Sequence, residues 1–151
     1  MSKQLEPEKK KAFFLFTTSG IFSILGIGML LAPFAFFYVI NNGNPYERYW
    51  VEGKVPEHLE AQGIKAKDIQ YQSAVAPKHL INKDFYHMHY IVVFKDEPKL
   101  EYLYGVKKRG KGVVQFCEKE QKENSYTYIG TTTEKTKYSE DVCAGIYENR
   151  D

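Results

Sequence analysis

The chain has 151 residues, with 21 Lys and Arg against 19 Asp and Glu and a formal net charge of +2. That length holds one domain of ordinary size, and near-neutrality removes the general electrostatic case for a nucleic-acid partner. The average hides an uneven distribution, because Ala12 to Ile40, AFFLFTTSGIFSILGIGMLLAPFAFFYVI, is a run of 29 residues without a charged side chain.

A helix needs roughly 20 apolar residues to cross a bilayer core, so this run is long enough to span with tilt. A helix is also the form that satisfies its own backbone in lipid. A cleaved signal peptide competes for the same run, but its apolar part is only about 7–15 residues and ends at a small-x-small site. LAPFAFF offers no such site. The reading is an uncleaved transmembrane helix over 12–40, preceded by a basic segment over 1–11. Pro33 removes one backbone donor and is expected to kink this helix. Lys3, Lys9, Lys10 and Lys11 precede the run, and the first basic residue after it is Arg48. Lysine and arginine are retained on the cytoplasmic side. The expectation is a single-pass protein of the cell membrane, N-terminus inside and residues 41–151 outside. Ser19/Ser23 and Gly28/Ala32 are small residues four apart, a spacing that lets two such helices pack closely as a homodimer.

Taking those four lysines, Glu6 and Glu8 from the totals leaves 41–151 formally neutral. NNGNP (Asn41 to Pro45) breaks the helix, since Asn and Gly tolerate turn geometry and a residue before proline avoids the helical region. YERYWVEGKVPEHLEAQGI then reads as helical, in one piece or two. Pro56 suits the first turn of a second piece and Gly63 its C-terminal stop. Leu59 and Ile64 are its inward residues. Tyr46, Tyr49 and Trp50, with Tyr38, suit the outer membrane interface, where amphipathic rings settle.

After Gly63 the period becomes two. DIQYQSAVA places Ile69, Tyr71, Ser73 and Val75 on one face. PKHLINKD is a loop, FYHMHYIVVF is the strongest strand, and KDEPK is a turn. LEYLYGV aligns Leu100, Tyr102, Tyr104 and Val106. KKRGKG is a basic hairpin loop and VVQFCEKE a further strand. Closely spaced strands with short connections make an antiparallel meander. The expected fold is therefore α+β, a transmembrane helix followed by a small domain with a helix packed on that meander. In the tail, SYTYIGTTT has strand propensity, while KYSEDVCAGIYENRD reads as a strand or a short helix. Cys117 and Cys143 lie on the expected outer side, where oxidising conditions permit a disulfide. The bridge would close a loop of about 25 residues, contribute about 3 kcal/mol, and hold the tail to VVQFCEKE. The alternative is two separate thiols.

The block running from LEAQGI and AKDIQ through YHMHYIVVFKDEPKLEYLYGV to VVQF resembles a family of small uncharacterised proteins of Gram-positive bacteria. These have an N-terminal membrane helix and a short domain with a V-V-F-K-D-E-P-x-x-x-Y-x-Y signature, here Val92 to Tyr104. The resemblance covers roughly residues 45–120, and the tail from about Gln121 departs from it. It implies a host group and a topology but no activity, so no catalytic residue is carried over.

Candidate sites follow from residue chemistry. His87 and His89 share one strand face, and imidazoles at this spacing bind zinc or copper. A stable site needs further ligands, which His79 and His58 could supply. The competing reading is a pair of solvated histidines, because Tyr86, Met88, Tyr90, Val92 and Phe94 form the more apolar face. Asp96 and Glu97 are adjacent on extended chain, point apart, and read as turn residues. Lys107, Lys108, Arg109 and Lys111 form either a solvated hairpin tip or a contact for an anionic surface. Tyr46, Tyr49 and Trp50 fit an interaction surface, since such rings combine apolar area with a polar tip. No Ser-His-Asp or H-E-x-x-H pattern is present, and no cofactor is expected. The leading expectation is a non-catalytic, membrane-anchored protein-binding module, such as a toxin-immunity or secretion and envelope accessory protein. The alternative is an external zinc- or copper-binding protein.

Overall fold

The computed structural model describes residues 5–124 and 127–150, with side chains from Ser19 onward. The side chains of Lys3, Lys9, Lys10 and Lys11, on which the expected orientation rests, lie outside that set. The chain divides into two units, Met1–Asn41 and Asn42–Asp151.

Helix α1 runs over Leu5–Asn42, contains Pro33, and continues through the basic segment expected to precede it. Its residues from Ser19 to Asn42 are all exposed. It is long and apolar enough to cross a membrane, a property that a signal sequence shares.

The second unit begins with α2, Pro45–Ala61. Its start is specified locally. The Asn44 side chain accepts from the Tyr46 N–H at 3.0 Å, and Pro45 occupies the first turn, where a missing N–H costs nothing. Its end is closed by Gly63 at φ +80° and by Ile64 N–H donating to the Leu59 carbonyl at 3.0 Å, a left-handed glycine stop. Val51, Val55 and Leu59 recur every four residues and are fully buried. This resolves the choice between one piece and two. Pro56 lies inside a continuous helix because Val55 and Leu59, on either side of it, are held against the same sheet, and packing outweighs the lost backbone bond.

The sheet is β1 (Ile69–Val75), β2 (Phe85–Phe94), β3 (Glu97–Lys107), β4 (Val113–Lys122) and β5 (Tyr128–Thr132), antiparallel in that order. A two-residue strand, β6 (Cys143–Ala144), pairs parallel with Gln115 and Phe116 of β4. The meander is thus the expected one, and both tail segments join it. Three details differ from expectation. A bulge between Ile69 and Tyr71 breaks the alternation of β1, so Ile69 and Ala74 meet the core while Tyr71 is exposed. An extra residue moves the rest of the strand to the opposite face. The β2–β3 turn is only Lys95-Asp96, and Glu97 already pairs with Phe94. Pro98 is accommodated in β3 because β4 pairing begins only at Leu100, leaving no ladder donor to lose there.

One sheet face carries the main core. Tyr86, Met88, Tyr90, Val92 and Phe94 of β2 and Tyr102, Tyr104 and Val106 of β3 pack with α2. The opposite face is also covered, by Ile81, Phe85, Leu103, Phe116 and Ile146. The C-terminal segment supplies that cover. Asn82 N–H donates to the Ile146 carbonyl at 2.7 Å, and the Asn82 amide donates to the Gly145 carbonyl at 3.1 Å. Cys117 and Cys143 are joined, with Cα atoms 5.1 Å apart. Gly105 makes this second layer fit. A Cβ placed there would lie 2.6 Å from the Phe116 ring and 2.7 Å from the Phe85 ring. Gly105→Ala is expected to cost about 1–3 kcal/mol by overpacking, read by chemical denaturation; a change below about 0.5 kcal/mol would mean that the two rings yield freely.

Candidate binding site

The N-terminal turns of α2 expose an aromatic group. Tyr46 and Tyr49 are 56% and 72% exposed, and Trp50 lies edge-on to both, at 6.3 and 5.6 Å between centroids. Tyr46 also meets Tyr86 of β2 edge-on at 6.0 Å. The β3–β4 hairpin brings Lys111 to this group. Its Nζ lies 5.0 Å from the Trp50 ring centre and 5.8 Å from that of Tyr46, and it donates to the Tyr86 hydroxyl. Its Nζ is also 4.3 Å from the Tyr86 ring centre, so Lys111 meets three ring systems and one hydroxyl, in a geometry that favours a cation. Trp50 Nε1 is buried and has no partner among the described residues.

The remaining basic residues of the loop separate from Lys111. Lys107, Lys108 and Arg109 are exposed, and Lys108 Nζ donates to the Lys83 carbonyl at 2.9 Å. The structure thus brings Tyr46, Tyr49, Trp50 and Lys111 together and leaves Lys107, Lys108 and Arg109 beside them as a solvated tip.

The histidines sit differently from expectation. His87 and His89 do lie on the face opposite the main core, but that face is roofed, and His89 is 5% exposed. His87 Nε2 is 2.8 Å from the Pro77 carbonyl oxygen, so that nitrogen is engaged. His89 Nδ1 is buried without a partner. Burial, reinforced by His79 and His87, lowers the His89 pKa to about 4. His58 lies 2.8 Å from Glu140 instead. Among the described residues no three or more His, Cys, Asp or Glu side chains form a group able to hold a metal ion.

A second polar cluster ties the tail to the sheet. Lys119 is 2% exposed, and its Nζ donates to Ser139 Oγ at 3.2 Å. Ser139 Oγ also accepts the Thr136 N–H at 2.9 Å, and Thr136 Oγ1 is 2.6 Å from the Tyr102 hydroxyl, which donates to Glu97. Burial lowers the Lys119 pKa. Ser139, Glu140 and Tyr138 wall a depression of about 620 Å³ beside Gln62 and Gly63. Gln115 donates to the Tyr138 carbonyl and accepts from Glu140 N–H, both at 2.8 Å. The bonds from Tyr102, Gln115 and Lys119 join the tail loop to β3 and β4, which accounts for the cluster as a clamp.

Residues 18–104 match a family described as "Protein of unknown function (DUF3139)", more than half of the chain. The protein belongs to the DUF3139 family. No curated protein and no solved structure matches it. The matched span of this DUF3139 member takes in most of α1 and continues to Tyr104 of β3. It therefore starts earlier than the resemblance read from the sequence, and it stops before β4. Tyr46, Trp50 and Tyr86 fall within it, whereas Lys111, the disulfide and the Lys119 clamp lie beyond it. Sequence reading singled out Tyr46, Tyr49, Trp50 and Lys111 separately but did not join them, and it assigned Tyr86 to the core alone. No local signal could join them, because Lys111 is 61 residues from Trp50 in the chain. Lys119 carried a usable signal, since alternation from Gln115 places it on the face of Tyr102 and Tyr104.

Proposed function

We propose that this protein is a single-pass membrane protein whose α1 anchors it, with the N-terminus cytoplasmic and Asn42–Asp151 outside. There it binds another protein without catalysis, in a role such as immunity to a secreted toxin or accessory service to a secretion or envelope complex. In a Gram-positive cell that outside is the cell exterior. The anchor rests on one helix that is apolar and exposed from Ile21 to Ile40. The outward orientation is supported by the Cys117–Cys143 bridge, since disulfides persist in oxidising compartments. The observation that carries the binding role is the aromatic end of α2, where exposed Tyr46 and Tyr49 and half-buried Trp50 meet Lys111 of the hairpin whose Lys107, Lys108 and Arg109 are exposed. Aromatic anchors with a basic rim are the composition of a protein-contact surface. Gly28 and Ala32, one helical turn apart on α1, support a homodimer through the anchor.

Two measurements test this. A periplasmic-type phosphatase fused after Asp151 will be active in whole cells; activity of only a cytoplasmic reporter at that position would sink the orientation. Tagged protein purified from membranes in mild detergent will retain a stoichiometric protein partner, and Tyr49→Ala combined with Arg109→Glu will release it. Retention unchanged by that double variant would reject this surface as the contact.

A further inference from the structure

We infer that Tyr46, Trp50 and Tyr86 form a site for a small organic ammonium group, and that Lys111 is its resting occupant. Three observations support this, and the inference stands whether or not a protein docks on the same end.

The first is the arrangement itself. Trp50 and Tyr46 present ring systems to one ammonium at 5.0 and 5.8 Å, and the Tyr86 hydroxyl accepts from it. An aromatic face attracts a cation through its quadrupole, and pockets of such rings recognise alkylated ammonium ions. The second is that Lys111 reaches the rings by a strained route. Its φ is 55° and follows Gly110 at 76°. The left-handed region disfavours a side chain with a Cβ, so occupation by Lys111 works against a local backbone preference. The third is access. Tyr46 is 56% exposed and Lys111 half-buried, so the occupant can leave by a hairpin movement without disturbing the core. No carboxylate forms an ion pair with Lys111 among the described residues. Its charge is held by rings and a hydroxyl, which a free amine or a lipid headgroup can equally use. An alkylated ammonium has the advantage, because it gives up fewer hydrogen bonds to water on entering.

The chain contains one tryptophan, so its fluorescence reports on this site. Full-length protein in maltoside micelles is titrated with choline chloride, ethanolamine hydrochloride, sodium chloride and the neutral isostere 3,3-dimethyl-1-butanol. The key variant is Lys111→Gly, which empties the site and also relieves the positive φ, so that folding is preserved. Choline and ethanolamine will give saturable changes in Trp50 emission. Half-saturation will fall by about tenfold in Lys111→Gly and rise again when Tyr46→Leu is added. Vesicles of phosphatidylethanolamine, set against phosphatidylglycerol alone, separate a headgroup from a soluble amine as the source. A response to free amines alone assigns the site to soluble amines, and a response to both assigns it to the headgroup. Equal curves for choline and its neutral isostere, or no saturable response in Lys111→Gly, would overturn the inference.

Discussion

Replacing Cys117 and Cys143 together with serine will lower the unfolding free energy of the Asn42–Asp151 unit by about 3 kcal/mol, the loop-entropy value for this separation. For a unit of this size that is a fall in Tm of roughly 10 °C or more. The bridge fastens more than two residues. β6 has only a two-residue pairing with β4, too short to persist unaided. Behind it, Ile146 is 2% exposed and packs with Ile81, Phe85, Leu103 and Phe116. The Ile146 N–H donates to Glu118 at 2.9 Å. Releasing the bridge therefore exposes the Phe85, Leu103 and Phe116 part of one sheet face, whereas the face under α2 keeps its own cluster. Thermal melts monitored by far-UV circular dichroism, with hydrogen exchange at Leu103 and Phe116, will show this asymmetry. A loss below about 1 kcal/mol would mean that the hydrogen bonds Asn82 donates and Glu118 accepts hold the tail without covalent help.

Stability will fall steeply between pH 6.5 and pH 4 because of His89. Its pKa is lowered from 6.5 to about 4, first by burial and then by His79 and His87. In that interval the unfolded chain protonates this imidazole and the folded chain does not, so acid favours unfolding. The stability is fully present above pH 6.5, declines as pH drops, and has lost about 3 kcal/mol on this account by pH 4. The site explains the direction. His89 stands opposite Gly105 on β3, within the layer that the C-terminal segment roofs, where a charge has little water. His89→Leu will flatten the difference in stability between pH 7 and pH 4.5 relative to wild type, while carboxylate titration, common to both proteins, cancels in the comparison. Parallel pH profiles for the two proteins would show that His89 reaches solvent in the native state.

Much of the fold was legible because its signals are local. Asn44, Pro45 and Gly63 bound α2 through caps that act within four residues. The alternation of Tyr86 to Phe94 and of Leu100 to Val106 marked the inward face of β2 and β3, and those residues are the core. The failures share a cause. The bulge at Ile69/Tyr71 reversed part of β1 because register is set by the partner strand. Pro56 did not divide α2 because Val55 and Leu59 are held by the sheet. His87 and His89 were expected partly in solvent because a two-layer fold leaves their face open. The tail closes it with Ile146, a residue that no periodicity connects to β2.

The sequence by itself determined the long apolar helix, the α+β meander, the main core face and the cysteine pair, since composition, period and turn chemistry are written in neighbouring residues. Only the tertiary structure decided that the second face is roofed, that His89 is buried and neutral, and that Lys111 stands among Tyr46, Trp50 and Tyr86. Those outcomes depend on contacts between residues tens of positions apart, where strand register and the path of the tail set what each side chain meets.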